Sequence, residues 1–156
     1  MQVYLLVILT LSYRYKLVNY VFGKMAEKFK SNNNVVYSCK YHVIFCPKYR
    51  RKVLVNAVAS RLKELLAQIA IDIKVEILEM EIMPDHVHLL IDVDPQFGVH
   101  RAVKRFKGAT SRYLRLEFPE LKSRLPSLWT NSYFVSTVGG ATLDTIKMYI
   151  QNQKET

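Results

Sequence analysis

The sequence predicts an α+β domain in which a ferredoxin-like β-α-β-β-α-β run builds an antiparallel sheet with two helices on one face, followed by a C-terminal helix. Three observations predict it. Residues 35–46 and 86–93 are dense in β-branched and aromatic residues, as strands are. Residues 74–83 set Lys74, Glu76, Glu79 and Glu81 against Val75, Ile77, Met80 and Ile82, the alternation of a half-buried strand. Two further stretches space their apolar residues three and four apart, which places one apolar stripe on each of two helices.

The elements follow in order. The first strand, residues 35–46, ends at Pro47, which cannot donate to a ladder. The basic loop KYRRK leads into a helix marked by Val55, Val58, Leu62, Leu65, Leu66 and Ile69. The strand at 74–83 turns at Pro84-Asp85 into the strand HVHLLIDV, residues 86–93. A second helix, about 98–117, carries Val99, Val103, Phe106, Tyr113 and Leu114 inward and six bases against the single acid Glu117. Residues 118–131, with Pro119, Pro126 and Trp129, read as a structured loop, and SYFVSTV at 132–138 as the fourth strand. After Gly139-Gly140, a tight turn or a hinge, comes a helix over about 142–153. Thr142 is its N-cap, and Asp144 sits in the first turn where the helix dipole favours an acid.

Composition bounds the class of protein. With 156 residues, half of them hydrophobic, the chain can bury a core without disulfides and is not a disordered basic tail. Cys39 and Cys46 alone do not make a secreted scaffold, so both read as reduced thiols of a cytoplasmic protein. The net charge of +10 points to a polyanionic partner. Residues 1–24 differ from the rest. Their apolar run, residues 3–11, is too short to span a bilayer, and its bases follow it rather than precede it as in a signal peptide. They read as an extension upstream of a domain at 25–156, with no membrane role expected.

The sharpest chemical feature is His86-Val87-His88. In a strand, residues i and i+2 share a face, so two imidazoles stand side by side as half of a metal site. The alternative is two half-exposed histidines with no ligand. On the last helix Tyr149 and Gln153 are four residues apart and share a face, which offers a reactive hydroxyl and a third ligand; alternatively Tyr149 simply flanks the Leu143, Ile146, Ile150 stripe. His42 and Cys46 read as core, and His100 as surface. One of Asp85, Asp92 and Asp94 is a candidate to orient an imidazole.

PDHVHLL (84–90), YSCKYHVIFCPKYRRKVL (37–54), TNSYFVSTVGG (130–140) and YIQNQ (149–153) closely resemble the single-tyrosine HUH transposases of the IS200/IS605 insertion sequences, over residues 32–154. The resemblance implies that His86 and His88 are the HUH histidines, Tyr149 the nucleophile and Gln153 the third ligand of a divalent metal, Mg²⁺ or Mn²⁺. Two imidazoles favour Mn²⁺ on ligand softness. It further implies cleavage and rejoining of single-stranded DNA with hairpins through a 5′-phosphotyrosine, by a homodimer whose tyrosine helices can complete each other's sites. Lys48, Arg50, Arg51 and Lys52 in the first loop, and Arg101, Lys104, Arg105, Lys107 and Arg112 on the second helix, are the candidates to track phosphates, with Tyr49 or Trp129 to stack on bases. Two other functions share parts of this pattern: the transposase-like proteins associated with repetitive extragenic palindromes, and a non-catalytic RNA-recognition-like module, whose glycine-aromatic signature is missing.

Overall fold

The structure is a computed structural model that describes residues 29–138. The helix predicted at 142–153 with Tyr149 and Gln153, the Gly139-Gly140 step and the extension 1–24 lie outside the described residues. The described chain belongs to two compact units, divided between Ser38 and Cys39.

In the first unit β1 (Lys30–Ser31) and β2 (Val36–Tyr37) pair antiparallel. Asn32 makes their turn: its Oδ1 accepts the N–H groups of Asn34 and Val35, both at 2.9 Å, in place of a backbone carbonyl. The single strand predicted over 35–46 is thus two strands, β2 and β3, in different units.

The second unit holds β3 (Lys40–Phe45), α1 (Asn56–Asp72), β4 (Glu76–Met83), β5 (His86–Asp92), α2 (Val99–Glu117), the short α3 (Glu120–Arg124) and β6 (Phe134–Thr137). The strands form one sheet in the order β4-β5-β3-β6, every neighbour antiparallel. Lys74, expected to open β4, instead closes α1. The N–H of Val75 bonds the Ala70 carbonyl at 2.9 Å, that of Lys74 bonds Ile71 at 3.1 Å, and Lys74 takes the left-handed φ of 55° that this helix ending requires. Val55 precedes the helix rather than lying in its stripe. α3 forms inside the stretch expected to be loop, and its Leu121 joins Leu125 and Leu128 in the core.

Strand alternation divides the sheet into two faces. Val43 and Phe45 of β3 and Val87, Leu89 and Ile91 of β5 form one core cluster with Leu62, Leu65 and Leu66 of α1 and Ala102, Val103, Phe106 and Leu114 of α2. Both helices therefore cover the same face, and His42, His86 and His88 occupy the alternate positions on the other. Tyr113, expected among the inward residues of α2, is instead exposed, and the buried Thr110 takes an inward place. Thr110 bonds back to the Phe106 carbonyl at 2.7 Å and accepts the indole N–H of Trp129 at 3.0 Å. Trp129 lies edge-on to Phe45 at 4.8 Å and is 5 % exposed, so it is a core residue and cannot stack on a base. Arg61 of α1 ties the helices with a two-pronged bond to Glu117 at 2.7 and 2.9 Å. Among the described residues, no helix is long and apolar enough to cross a membrane, and the thiols of Cys39 and Cys46 are free.

Candidate active site: a supported histidine pair

The β4–β5 hairpin builds the site. Met83 pairs with His86, so Pro84-Asp85 is a two-residue turn and His86 is the first residue of β5. The rings of His86 and His88 lie on one face with centroids 4.8 Å apart. The turn also places Asp85 against its neighbour: Oδ1 meets His86 Nδ1 at 2.6 Å, and Oδ2 accepts from the Arg50 guanidinium at 2.9 Å. Burial pushes the Asp85 carboxyl up, but the bonds from His86 and Arg50 outweigh it and hold the group below the usual carboxylate range. An ionised carboxylate only accepts, so His86 Nδ1 carries a proton and, in the neutral ring, Nε2 keeps a lone pair. Of the three aspartates considered, Asp85 is the one that grips a site histidine, while Asp94 Oδ1 accepts the Gln96 N–H.

His88 is supported differently. Its Nδ1 lies 3.0 Å from Nε2 of His42 on the neighbouring strand, and the two rings meet edge to edge, 15° from coplanar with centroids 5.2 Å apart. His42 is therefore not the core residue expected. β3 and β5 pair with His42 opposite Leu90 and Ile44 opposite His88, which puts the two histidines on one diagonal of the same face. A sequence shows that His42 and Ile44 share a face but not which residue of β5 each meets. Phe134 of β6, edge-on to His42 at 6.3 Å and exposed, is a second residue that the sequence did not single out.

His88 is buried, and burial, followed by the nearby His86 and His42, pushes its pKa down to about 4; burial also lowers that of His42. These rings are neutral at neutral pH, the form that offers a lone pair to a metal. Stability follows with a definite sign. Below about pH 6.5 the unfolded chain takes up a proton that folded His88 refuses until about pH 4, so stability falls across that window and levels off below it. Urea unfolding with chelator at pH 7, 5.5 and 4.5 is expected to show this decline, on the order of 2 kcal/mol from His88. The decline is smaller in His88→Gln. Equal slopes for the two chains would show that His88 is not held neutral.

The donor set fits a divalent cation: two imidazoles side by side, each with one nitrogen engaged, beside an anionic carboxylate. Among the described residues no three His, Cys, Asp or Glu side chains could hold a metal together.

The basic candidates form two groups. Arg50, Arg51 and Lys52 are exposed in the loop after β3. Arg50 is linked to His86 through Asp85. Lys48 is half-buried and lies over the ring of Tyr49, which is two-thirds exposed and sits at a left-handed φ of 59°. Arg101, Lys104, Arg105 and Arg112 are exposed on α2, on the helix side of the sheet and across it from the histidines. Lys104 and Lys107 line a groove of about 470 Å³ between α2 and residues 127–133, with His100, Ser111, Asn131 and Tyr133. Lys107 spans it, donating to the carbonyls of Asn131 and Ser132 at 3.0 and 3.1 Å, and burial lowers its pKa. His100 is on the surface, as expected, and bonds the Tyr133 hydroxyl at 2.9 Å.

Similarity to known proteins gives this arrangement its class. Residues 35–153 match the family described as "Transposase IS200 like". The chain is 42 % identical over 128 residues to the ISDra2 transposase TnpA of Deinococcus radiodurans, covering 81 % of this chain and 91 % of that protein. It is 34 % identical over the same length to the transposase for insertion sequence element IS200 of Salmonella typhimurium, covering 81 % and 84 %. A crystal structure of a Deinococcus radiodurans R1 chain designated a transposase superposes with a TM-score of 0.67 at 42 % identity, covering 80 % of this chain and 97 % of that one. A basic α+β domain with these relatives is a DNA transposase of insertion sequences. Within that class the chain belongs to the IS200-like transposase family.

Proposed function

We propose that the protein cleaves and rejoins single-stranded DNA at insertion-sequence ends, with Tyr149 as nucleophile and a divalent cation, Mg²⁺ or Mn²⁺, held by His86, His88 and Gln153. The observation that carries this reading is the histidine pair with both Nδ1 atoms engaged, by Asp85 and by His42, which suits the Nε2 atoms to face a metal. When bound, the cation would polarise the scissile phosphate and offset charge that builds there.

The chain's own residues do the rest. The Tyr149 oxygen attacks phosphorus, the bond from phosphorus to the 3′ oxygen breaks, and the proton given up by the phenol is balanced by one taken up by the departing 3′ oxygen; the products are a 5′-phosphotyrosine and a free 3′-hydroxyl. Because the phosphoester is conserved, a second 3′-hydroxyl reverses the step and joins new ends, with no nucleotide cofactor. Tyr149 and Gln153, four residues apart on the helix expected after the ferredoxin-like run, would reach the site together, in a homodimer that would share its two tyrosine helices. Arg50, Arg51 and Lys52 lie on the loop next to the histidines and would hold the strand being cut. Arg101, Lys104, Arg105 and Arg112 would hold the DNA hairpin on the helix side. Such a protein would act in the cytoplasm.

The test is incubation with single-stranded DNA carrying the element ends, followed by a denaturing gel. A covalent protein–DNA adduct is expected with Mn²⁺ or Mg²⁺ and is lost with chelator. Adduct formation unaffected by chelator would remove the metal from the mechanism.

A further inference from the structure

We infer that His42 is a positioning residue that fixes the tautomer of His88. This rests on the metal reading above for its consequence but not for its geometry. A single proton lies between His42 Nε2 and His88 Nδ1, 3.0 Å apart. If His88 Nδ1 carries it, His88 Nε2 is a lone pair that can bind a cation. If His42 Nε2 carries it, neutral His88 has its other proton on Nε2 and cannot bind. The identity of the acceptor on β3 therefore decides whether His88 is a ligand at all.

His42 is built to be that acceptor. Strand pairing fixes its backbone against Leu90 on one side and Ser136 on the other. Its ring lies nearly coplanar with His88, edge to edge through the 3.0 Å contact, and is edged by Phe134. The choice of an imidazole over a carboxylate has a charge rationale. His86 lies at the turn, where the carboxylate of Asp85 is balanced by Arg50. His88 is 4 % exposed, and a second carboxylate there would put an unbalanced negative charge beside a site that must accept a phosphodiester. A neutral ring supplies the hydrogen bond without the charge. The pair thus has two kinds of support: a charged one at the open end and a neutral one at the buried end.

The test compares the full chain with its His42→Phe and His42→Gln variants. Phenylalanine keeps an aromatic ring at this place and removes the acceptor, whereas the glutamine side-chain oxygen reaches about as far as Nε2 and restores it. Nitrogen-15 NMR of the metal-free protein is expected to show His88 protonated at Nδ1 in the parent chain and in His42→Gln, and shifted toward Nε2 protonation in His42→Phe. Calorimetric titration with Mn²⁺ is expected to show a loss of about 10- to 100-fold in affinity for His42→Phe and recovery in His42→Gln. Nε2 protonation of His88 in the parent chain, or no change of tautomer in His42→Phe, would overturn the inference. Absence of Mn²⁺ binding to the parent chain, with the tautomers as expected, would overturn the metal reading and leave the positioning role standing.

Discussion

Tyr149→Phe is expected to abolish the covalent adduct with single-stranded DNA while leaving DNA binding within about twofold of the parent chain. The substitution removes one oxygen and keeps the aromatic ring, so it is the variant suited to separate chemistry from folding. Without the phenolic oxygen no phosphotyrosine forms, and strand transfer goes with it, because the second step attacks the bond the first one made. The expected loss is about 10³-fold or more in cleavage rate, since no neighbouring group can replace an attacking atom built into the chain. Adduct on a denaturing gel and binding by fluorescence anisotropy read the two properties separately. An adduct that survives in Tyr149→Phe would move the nucleophile elsewhere among the ten tyrosines.

The second large effect is expected from the histidines. His86→Ala and His88→Ala would each remove one imidazole from the proposed donor set, whose third member, Gln153, lies outside the described residues. A cation that stabilises developing charge contributes several kcal/mol, so losing it slows cleavage by about 10³-fold. The two variants should differ in stability. His88 is buried and hydrogen-bonded to His42, so His88→Ala leaves a cavity and an unpaired His42 Nε2, costing on the order of 2 kcal/mol. His86 stands half-exposed at the turn, and its loss is felt mainly in metal binding. Mn²⁺ titration beside urea unfolding of the two variants reads the contrast. Normal Mn²⁺ binding in both would remove the pair from the metal site.

Much of this was legible in the sequence, for identifiable reasons. Period-2 and helical patterns locate β4, β5, α1 and α2, because each element buries one face and exposes the other. They also place His86 and His88 together, since two residues of one strand separated by one need no tertiary information. What was not legible depends on pairing between strands. His42 carries no local mark of its partnership; only the register of β3 on β5 brings it to His88. Trp129 misled for the opposite reason: a tryptophan in a proline-bounded loop resembles a stacking platform, yet its indole is consumed by Phe45 and Thr110. Lys74 shows the limit of alternation at element ends, where the unpaired carbonyls of a helix outrank the pattern of the strand that follows.

The division of the sheet into a histidine face and a helix-covered face bears on how such a protein can change. The side chains of α2 that meet solvent share no packing with His42, Asp85, His86 or His88, because a layer of core and a layer of sheet backbone lie between. Substitutions there at Lys104, Arg105 and Arg112, away from the ties made by His100, Lys107 and Glu117, disturb no core packing and have no direct coupling to the histidines, and effects at such separated sites add. Selection can therefore revise one surface in single steps while the other stays under its own constraints. A domain divided in this way is evolvable by halves, and a designer can treat the two halves as separate parts.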